Sequence, residues 1–252
     1  MTDQYSSKLT RLVRATRLFF HIAFGLLTAA LVLPRVSPQK RDRIIRRWSK
    51  GLLNVFNIRL VTHGSVPSPQ IAGVMFVANH VSWLDIHVIH SICTVRFIAM
   101  AEIRRWPVFG WLAHQANTLF TDRAKRQEAG RMVEITTDSL RAGDSLCYFP
   151  EGATTEGRDL KPFKASLMQA AINANTYIWP IAIRYPDVDG QPNPDLSYAN
   201  TNLFGSLKKV LAQQAPIAEV YFNEPITTAG QDRRQLSELA RASIAQSLGL
   251  TR

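Results

Sequence analysis

The sequence predicts an α/β protein with a mostly parallel central sheet flanked by helices, preceded by an N-terminal membrane-associated helical hairpin. Three observations lead there. From residue 58 onward, short β-like runs alternate with helical runs, which is how crossover units build a parallel sheet. Gly and Pro punctuate the strand ends, at Pro107, Gly143, Gly152 and Pro186, where a chain must turn. The most apolar stretch is also the most basic: residues 1–63 hold 12 Lys/Arg against 2 Asp/Glu, and the rest hold 18 against 17, so +10 of the net +11 lies there. The chain therefore divides into a basic, apolar hairpin (1–57) and an α/β domain (58–252).

Residues 18–33 read LFFHIAFGLLTAALVL. As a helix this run spans about 24 Å, short of the roughly 30 Å hydrocarbon core of a bilayer. Arg11, Arg14 and Arg17 precede it, and Arg35, Lys40, Arg41 and Arg43 follow it, so the positive-inside bias favours neither side. In residues 42–58, Ile44, Ile45, Trp48, Leu52, Val55 and Phe56 recur at helical spacing between basic residues. Pro34 and Pro38 separate the two runs. The expectation is a hairpin lying in or dipping into one leaflet. A single tilted span, a core helix and a signal peptide are the alternatives, and the basic amphipathic stretch that follows fits the last poorly. Basic residues beside apolar ones suit an anionic membrane, where each is worth about 1 kcal/mol. The nearly neutral remainder argues against nucleic acid, which needs positive charge around the site.

The strand candidates are 58–62, 74–78, 95–100, 118–121, 145–149, 178–184 and 218–222. The helix candidates are 84–91, 108–116, 125–141, 163–174, 203–213 and 233–247. Residues 186–199, rich in Asp, Pro and Asn, read as a surface loop. Cys93 and Cys147 form no C-x-x-C and no metal-ligand spacing, so they read as reduced core cysteines of a cytosol-facing protein.

Working residues of such sheets gather at strand ends, and two polar segments stand there. The first is Asn79-His80-Val81-Ser82-Trp83-Leu84-Asp85. On one regular helix, positions five apart point about 140° away from each other, so His80 and Asp85 meet only if a helix begins between them. Ser82 is a good N-cap, and Asp85 completes an S-x-x-D box. Asp85 can then reach back to one ring nitrogen of His80 and leave the other as a base. The plainer reading makes Asp85 a capping residue and His80 a loop histidine. Ser82 as a nucleophile lacks the G-x-S-x-G elbow. The second segment, Phe149-Pro150-Glu151-Gly152-Ala153-Thr154-Thr155, is a tight turn whose N–H groups and hydroxyls suit an oxyanion or a phosphate. An ordinary capped loop is its plainer reading.

Together these segments resemble the glycerolipid acyltransferases that include the 1-acylglycerol-3-phosphate (lysophosphatidate) acyltransferases. The resemblance rests on N-H-x-x-x-x-D (Asn79 to Asp85), Leu119-Phe120-Thr121-Asp122-Arg123, F-P-E-G (Phe149 to Gly152) and Ile178-Trp179-Pro180-Ile181-Ala182. It implies that His80 is the general base and Asp85 its partner, and that acyl-CoA or an acyl carrier protein donates the acyl group to a lysolipid hydroxyl. Arg123, Glu151, Gly152, Ala153, Thr154 and Thr155 would bind substrate, with a backbone N–H near Gly152 as oxyanion donor. No cofactor, no metal and no nucleic acid are implied. The expected location is the cytosolic face of the inner (cytoplasmic) membrane, monotopic or single-span. Two departures bear on the acceptor. Met100 stands where the family often has lysine, and Ala153-Thr154 where it often has Thr-Arg. Arg104, Arg105 and Lys161 are candidates to compensate. Lysophosphatidate leads as acceptor, with lyso-ornithine lipid or another lysophospholipid as rivals, and a non-catalytic membrane-binding protein is the alternative class.

Overall fold

The computed structural model describes residues 5–68, 71–106, 108–121 and 126–250. Helices α1 (Lys8–Leu31) and α2 (Pro38–Val55) form the N-terminal hairpin, joined by a 3₁₀ turn at Leu33–Arg35. Then follow β1 (Arg59–Gly64), β2 (Met75–Ala78), α3 (Leu84–Ile92), β3 (Arg96–Met100), α4 (Phe109–Gln115), β4 (Leu119–Thr121), α5 (Arg126–Arg141) and β5 (Leu146–Tyr148). The chain closes with α6 (Met168–Asn173), β6 (Ile178–Arg184), α7 (Leu203–Ala212), β7 (Ile217–Phe222) and α8 (Arg233–Leu248). The seven strands form one sheet in the order β1-β7-β6-β2-β5-β3-β4. Every neighbouring pair is parallel except β6–β7, as the alternation of strand and helix candidates predicts.

Helices cover both faces of the sheet, and the period of two along β2 shows it. Phe76 and Ala78 join one core with Leu84, Val88, Ile181 and Val220, while Met75 and Val77 join a second with Leu146, Met168 and Leu236. All four β2 residues are buried, which is why that strand reads as an unbroken apolar run rather than an alternating one.

Inside the hairpin, the His21 and Trp48 rings stack at 5.0 Å. Trp48 Nε1 donates to His21 O at 3.2 Å, and His21 Nε2 donates to Trp48 O at 3.0 Å. Glycine at 25 permits this approach, because a Cβ there would stand 2.3 Å from Trp48 Nε1. Leu52, Leu53, Val55 and Phe56 continue from α2 into the main core. Arg14, buried on α1, donates to the carbonyls of Leu211, Gln213 and Gln214 at the C-terminal end of α7, where orphan carbonyls favour a cation. The opposite side of α1 is inverted relative to a soluble helix: Leu9, Leu12, Val13, Phe19, Phe20, Phe24, Leu27 and Leu31 are all exposed. By length and composition, residues Lys8–Arg35 suffice to cross a membrane.

Two expectations need correction. The helix read over 163–174 is only Met168–Asn173. Lys164 N is taken by Pro150 O, and Phe163 O by the Ser237 hydroxyl, so these peptide groups serve tertiary bonds instead of a helix. The loop 186–199 is not simply a surface loop. Its tip is exposed, but Asn193, Leu196 and Ser197 are buried. Ser197 Oγ donates to Thr155 O and Tyr198 N to Val81 O, so the loop is tied to both site segments.

Candidate active site

Strands β6, β2 and β5 are adjacent and parallel, so the segments leaving their carboxyl ends converge on one edge of the sheet, where ligands of open α/β sheets bind. β2 delivers His80, β5 delivers Glu151 and β6 delivers Tyr185. Asn79 ties two of these segments together. Its amide donates to Ile183 O at 2.8 Å and accepts from Ile183 N at 2.7 Å. A side chain thus continues the β2–β6 ladder beyond Ala78, which leaves the main chain free to turn toward the site.

The turn brings His80 to Asp85. His80 Nδ1 lies 2.8 Å from Asp85 Oδ2. The same oxygen accepts from Val81 N at 2.8 Å and Ser82 N at 3.0 Å, and Asp85 Oδ1 accepts from the Tyr185 hydroxyl at 2.6 Å. The Asp85 side chain is fully buried, while 19 % of the His80 side chain is exposed. A buried carboxylate persists as an anion only with such donors around it. An ionised carboxylate only accepts, so Nδ1 carries the proton and Nε2 keeps its lone pair. Phe149 stacks on the His80 ring at 3.9 Å and 11° and fixes its plane.

The predicted capping box is half present. Asp85 reaches back to the entering chain, but Trp83 holds the N-cap position, and the buried Ser82 hydroxyl has no hydrogen-bond partner among the described residues. The carboxylate alone collects the two peptide N–H groups, so the hydroxyl is not required.

Glu151 is buried and fully engaged: Oε1 accepts from His80 N at 2.8 Å and Oε2 from Lys161 N at 3.0 Å. Burial raises its pKa, against the lowering effect of those two bonds. Thr155 is likewise buried, and its N donates to His80 O at 2.8 Å. These two residues lock the β2 and β5 loops together. Ala153 is exposed, and Gly152 and Thr154 are half-buried. Gly152 turns with φ +79°, and its own N–H is taken by Phe149 O at 3.1 Å. Lys161 Nζ, one of the three candidate compensating cations, donates to Thr154 O at 3.3 Å and thus stands at the predicted substrate turn. Arg123 lies outside the described residues. Sequence reasoning missed Phe149 and Tyr185 as partners of the pair. The signal for Tyr185 was available, since it directly follows a strand whose carboxyl end meets the site.

An imidazole held by a buried carboxylate at the carboxyl edge of a mostly parallel sheet has the geometry of an enzyme that takes a proton from a hydroxyl so that the oxygen can accept a transferred group. A family model described as Acyltransferase matches residues 59–184, which include both site segments. Lyso-ornithine lipid O-acyltransferase of Pseudomonas aeruginosa is 32 % identical, over 96 % of this chain and 95 % of its own. 1-acyl-sn-glycerol-3-phosphate acyltransferase of Neisseria gonorrhoeae is 34 % identical, over 82 % of this chain and 81 % of its own. The crystal structure of the 1-acyl-sn-glycerophosphate acyltransferase of Thermotoga maritima superposes with a TM-score of 0.71 at 20 % identity, covering 96 % of this chain and 94 % of that one, and so shares the fold. The chain belongs to the Acyltransferase family and is an acyltransferase.

Proposed function

We propose that this enzyme acylates the free hydroxyl of a lysolipid at a membrane surface, with acyl-CoA or an acyl carrier protein as donor. The observation that carries this reading is the 2.8 Å contact between His80 Nδ1 and Asp85 Oδ2, at a site whose sequence matches a family of acyltransferases. His80 Nε2 takes the hydroxyl proton, and the oxygen attacks the thioester carbonyl. The new C–O bond forms, the C–S bond breaks, and the thiolate leaves with the proton returned by His80. Asp85 stabilises the imidazolium formed between these steps. The outward apolar stripe of α1 and the basic charge of the hairpin favour a monotopic seat on the cytosolic face of the inner membrane. The packing of α1 along the body through α2 and α7 supports a helix seated on the membrane surface over one that leaves the protein to cross it.

The acceptor we assign first is lysophosphatidate. One ammonium, that of Lys161, stands at the turn of residues 151–155, within the region suited to an anionic head group. A lyso-ornithine lipid is the second reading, favoured by the missing cations at Met100 and Thr154 and by the Pseudomonas relative that spans nearly the whole chain. Purified enzyme in lipid, given each acyl donor with lysophosphatidate, lysophosphatidylethanolamine and lyso-ornithine lipid, tests both. Product with one of them identifies the acceptor, and loss of product by about 100-fold or more in His80→Ala ties it to this site. No product from any pairing would overturn the assignment of a lysolipid acceptor.

A further inference from the structure

We infer that Tyr185 is a positioning residue for acyl transfer, its phenol orienting the Asp85 carboxylate that in turn orients His80. The inference rests on the reading that His80 and Asp85 perform the chemistry. Three of the four donors to Asp85 converge on Oδ2: His80 Nδ1, Val81 N and Ser82 N. Oδ1 receives the Tyr185 hydroxyl at 2.6 Å, in the range of strong O–H···O⁻ bonds. That bond anchors the second oxygen and, with the three donors on Oδ2, fixes the plane of the carboxylate, whose rotation would take Oδ2 away from the imidazole.

Tyr185 is built for this task. Only 2 % of it is exposed. Asn79 clamps β6 at Ile183, two residues earlier, and Tyr185 O accepts from Asn193 N at 2.8 Å, so the backbone is held on both sides. Burial, together with the adjacent carboxylate, pushes the phenol pKa well above its ordinary value, and Tyr185 is therefore a neutral donor at any working pH. A strong donor also spreads the carboxylate charge over both oxygens. The other titratable neighbours are Glu151, which accepts from the His80 peptide, and Cys147, whose thiol burial keeps protonated. Neither contacts Oδ1.

Tyr185→Phe keeps the ring and removes the donor. The expected result is a fall in kcat of about tenfold to 100-fold, with acceptor KM unchanged within about twofold. The acid limb of the rate profile should move to higher pH, because a carboxylate with less delocalised charge stabilises the imidazolium more. In an Asp85→Asn background the same change should add nothing. If Tyr185→Phe keeps wild-type kcat and an unmoved acid limb while His80→Ala is inactive, the inference fails alone. Equal losses in the wild-type and Asp85→Asn backgrounds also overturn it. Activity in His80→Ala would instead sink the reading of the site. Should Tyr185→Phe not fold, 3,5-difluorotyrosine placed at 185 keeps the shape and strengthens the donor. The acid limb should then move to lower pH, and a fixed limb would refute the role.

Discussion

At the scale of single residues, the site shows how few side chains separate binding from bracing. Of the five turn residues expected to touch substrate, Glu151 and Thr155 are spent on the His80 peptide, so the turn acts first as a scaffold for the base. Lys161 is the opposite case. Its peptide N–H is fixed by Glu151, but its ammonium is on the exposed side of the site, held by one carbonyl. Lys161→Ala should therefore raise the acceptor KM about fivefold to tenfold for an anionic head group while leaving kcat near wild type. Steady-state kinetics with an anionic and a zwitterionic acceptor check this, and equal effects on both would exclude a charge-based role. Asn79 shows the limit of reading a sequence residue by residue. Its place in the block is visible, but its bond to Ile183 joins positions 104 apart and follows only from the order of the strands.

Secondary-structure elements were more legible than their partners. All seven strands fall where alternating runs and turn residues place them, because a central parallel strand must be apolar on both faces, as β2 is. Errors arose where tertiary bonds outbid local propensity: at Phe163 and Lys164, drawn out of a helix by Ser237 and Pro150, and at Leu196, buried within a loop of polar composition. The hairpin was legible in kind, from coincident charge and hydropathy. What the sequence hid was which side of α1 meets the body, because Arg14 faces inward and Phe19, Phe20 and Phe24 outward. A soluble helix would reverse that arrangement. Phe20→Glu with Phe24→Glu should abolish co-sedimentation with anionic vesicles and leave the far-ultraviolet circular dichroism unchanged. Retained vesicle binding would show that the stripe is not the lipid contact.

The molecule as a whole carries a pH dependence that does not come from its site. On α3, His90 is buried and His87 is half-buried with its Nδ1 shielded from solvent, and desolvation lowers their pKa values to about 4 and about 3. His90 Nε2 donates to Val95 O at 2.9 Å, while His87 Nδ1 has no hydrogen-bond partner among the described residues. Both are neutral in the fold and take up protons once unfolded below about pH 6.5. Between these limits the unfolded chain binds more protons, so stability falls as the pH drops, by on the order of a few kcal/mol from pH 7 to pH 4. Glu151, with its raised pKa, opposes this only in the acid range near its own titration. Thermal melts across that interval should show a falling Tm, and His90→Gln, which can keep a donor to Val95, should flatten the slope. An unchanged slope would assign the acid sensitivity elsewhere.

The placement of β2 between β5 and β6 has a consequence for biosynthesis. The strand that bears the histidine leaves the ribosome early, but both its neighbours in the sheet are translated later, and the clamp on Asn79 arrives only with Ile183. A nascent chain halted before that point carries its lipid-seeking helices without the paired imidazole. Such a fragment can settle on a bilayer but has no assembled apparatus with which to alter the lipids it meets.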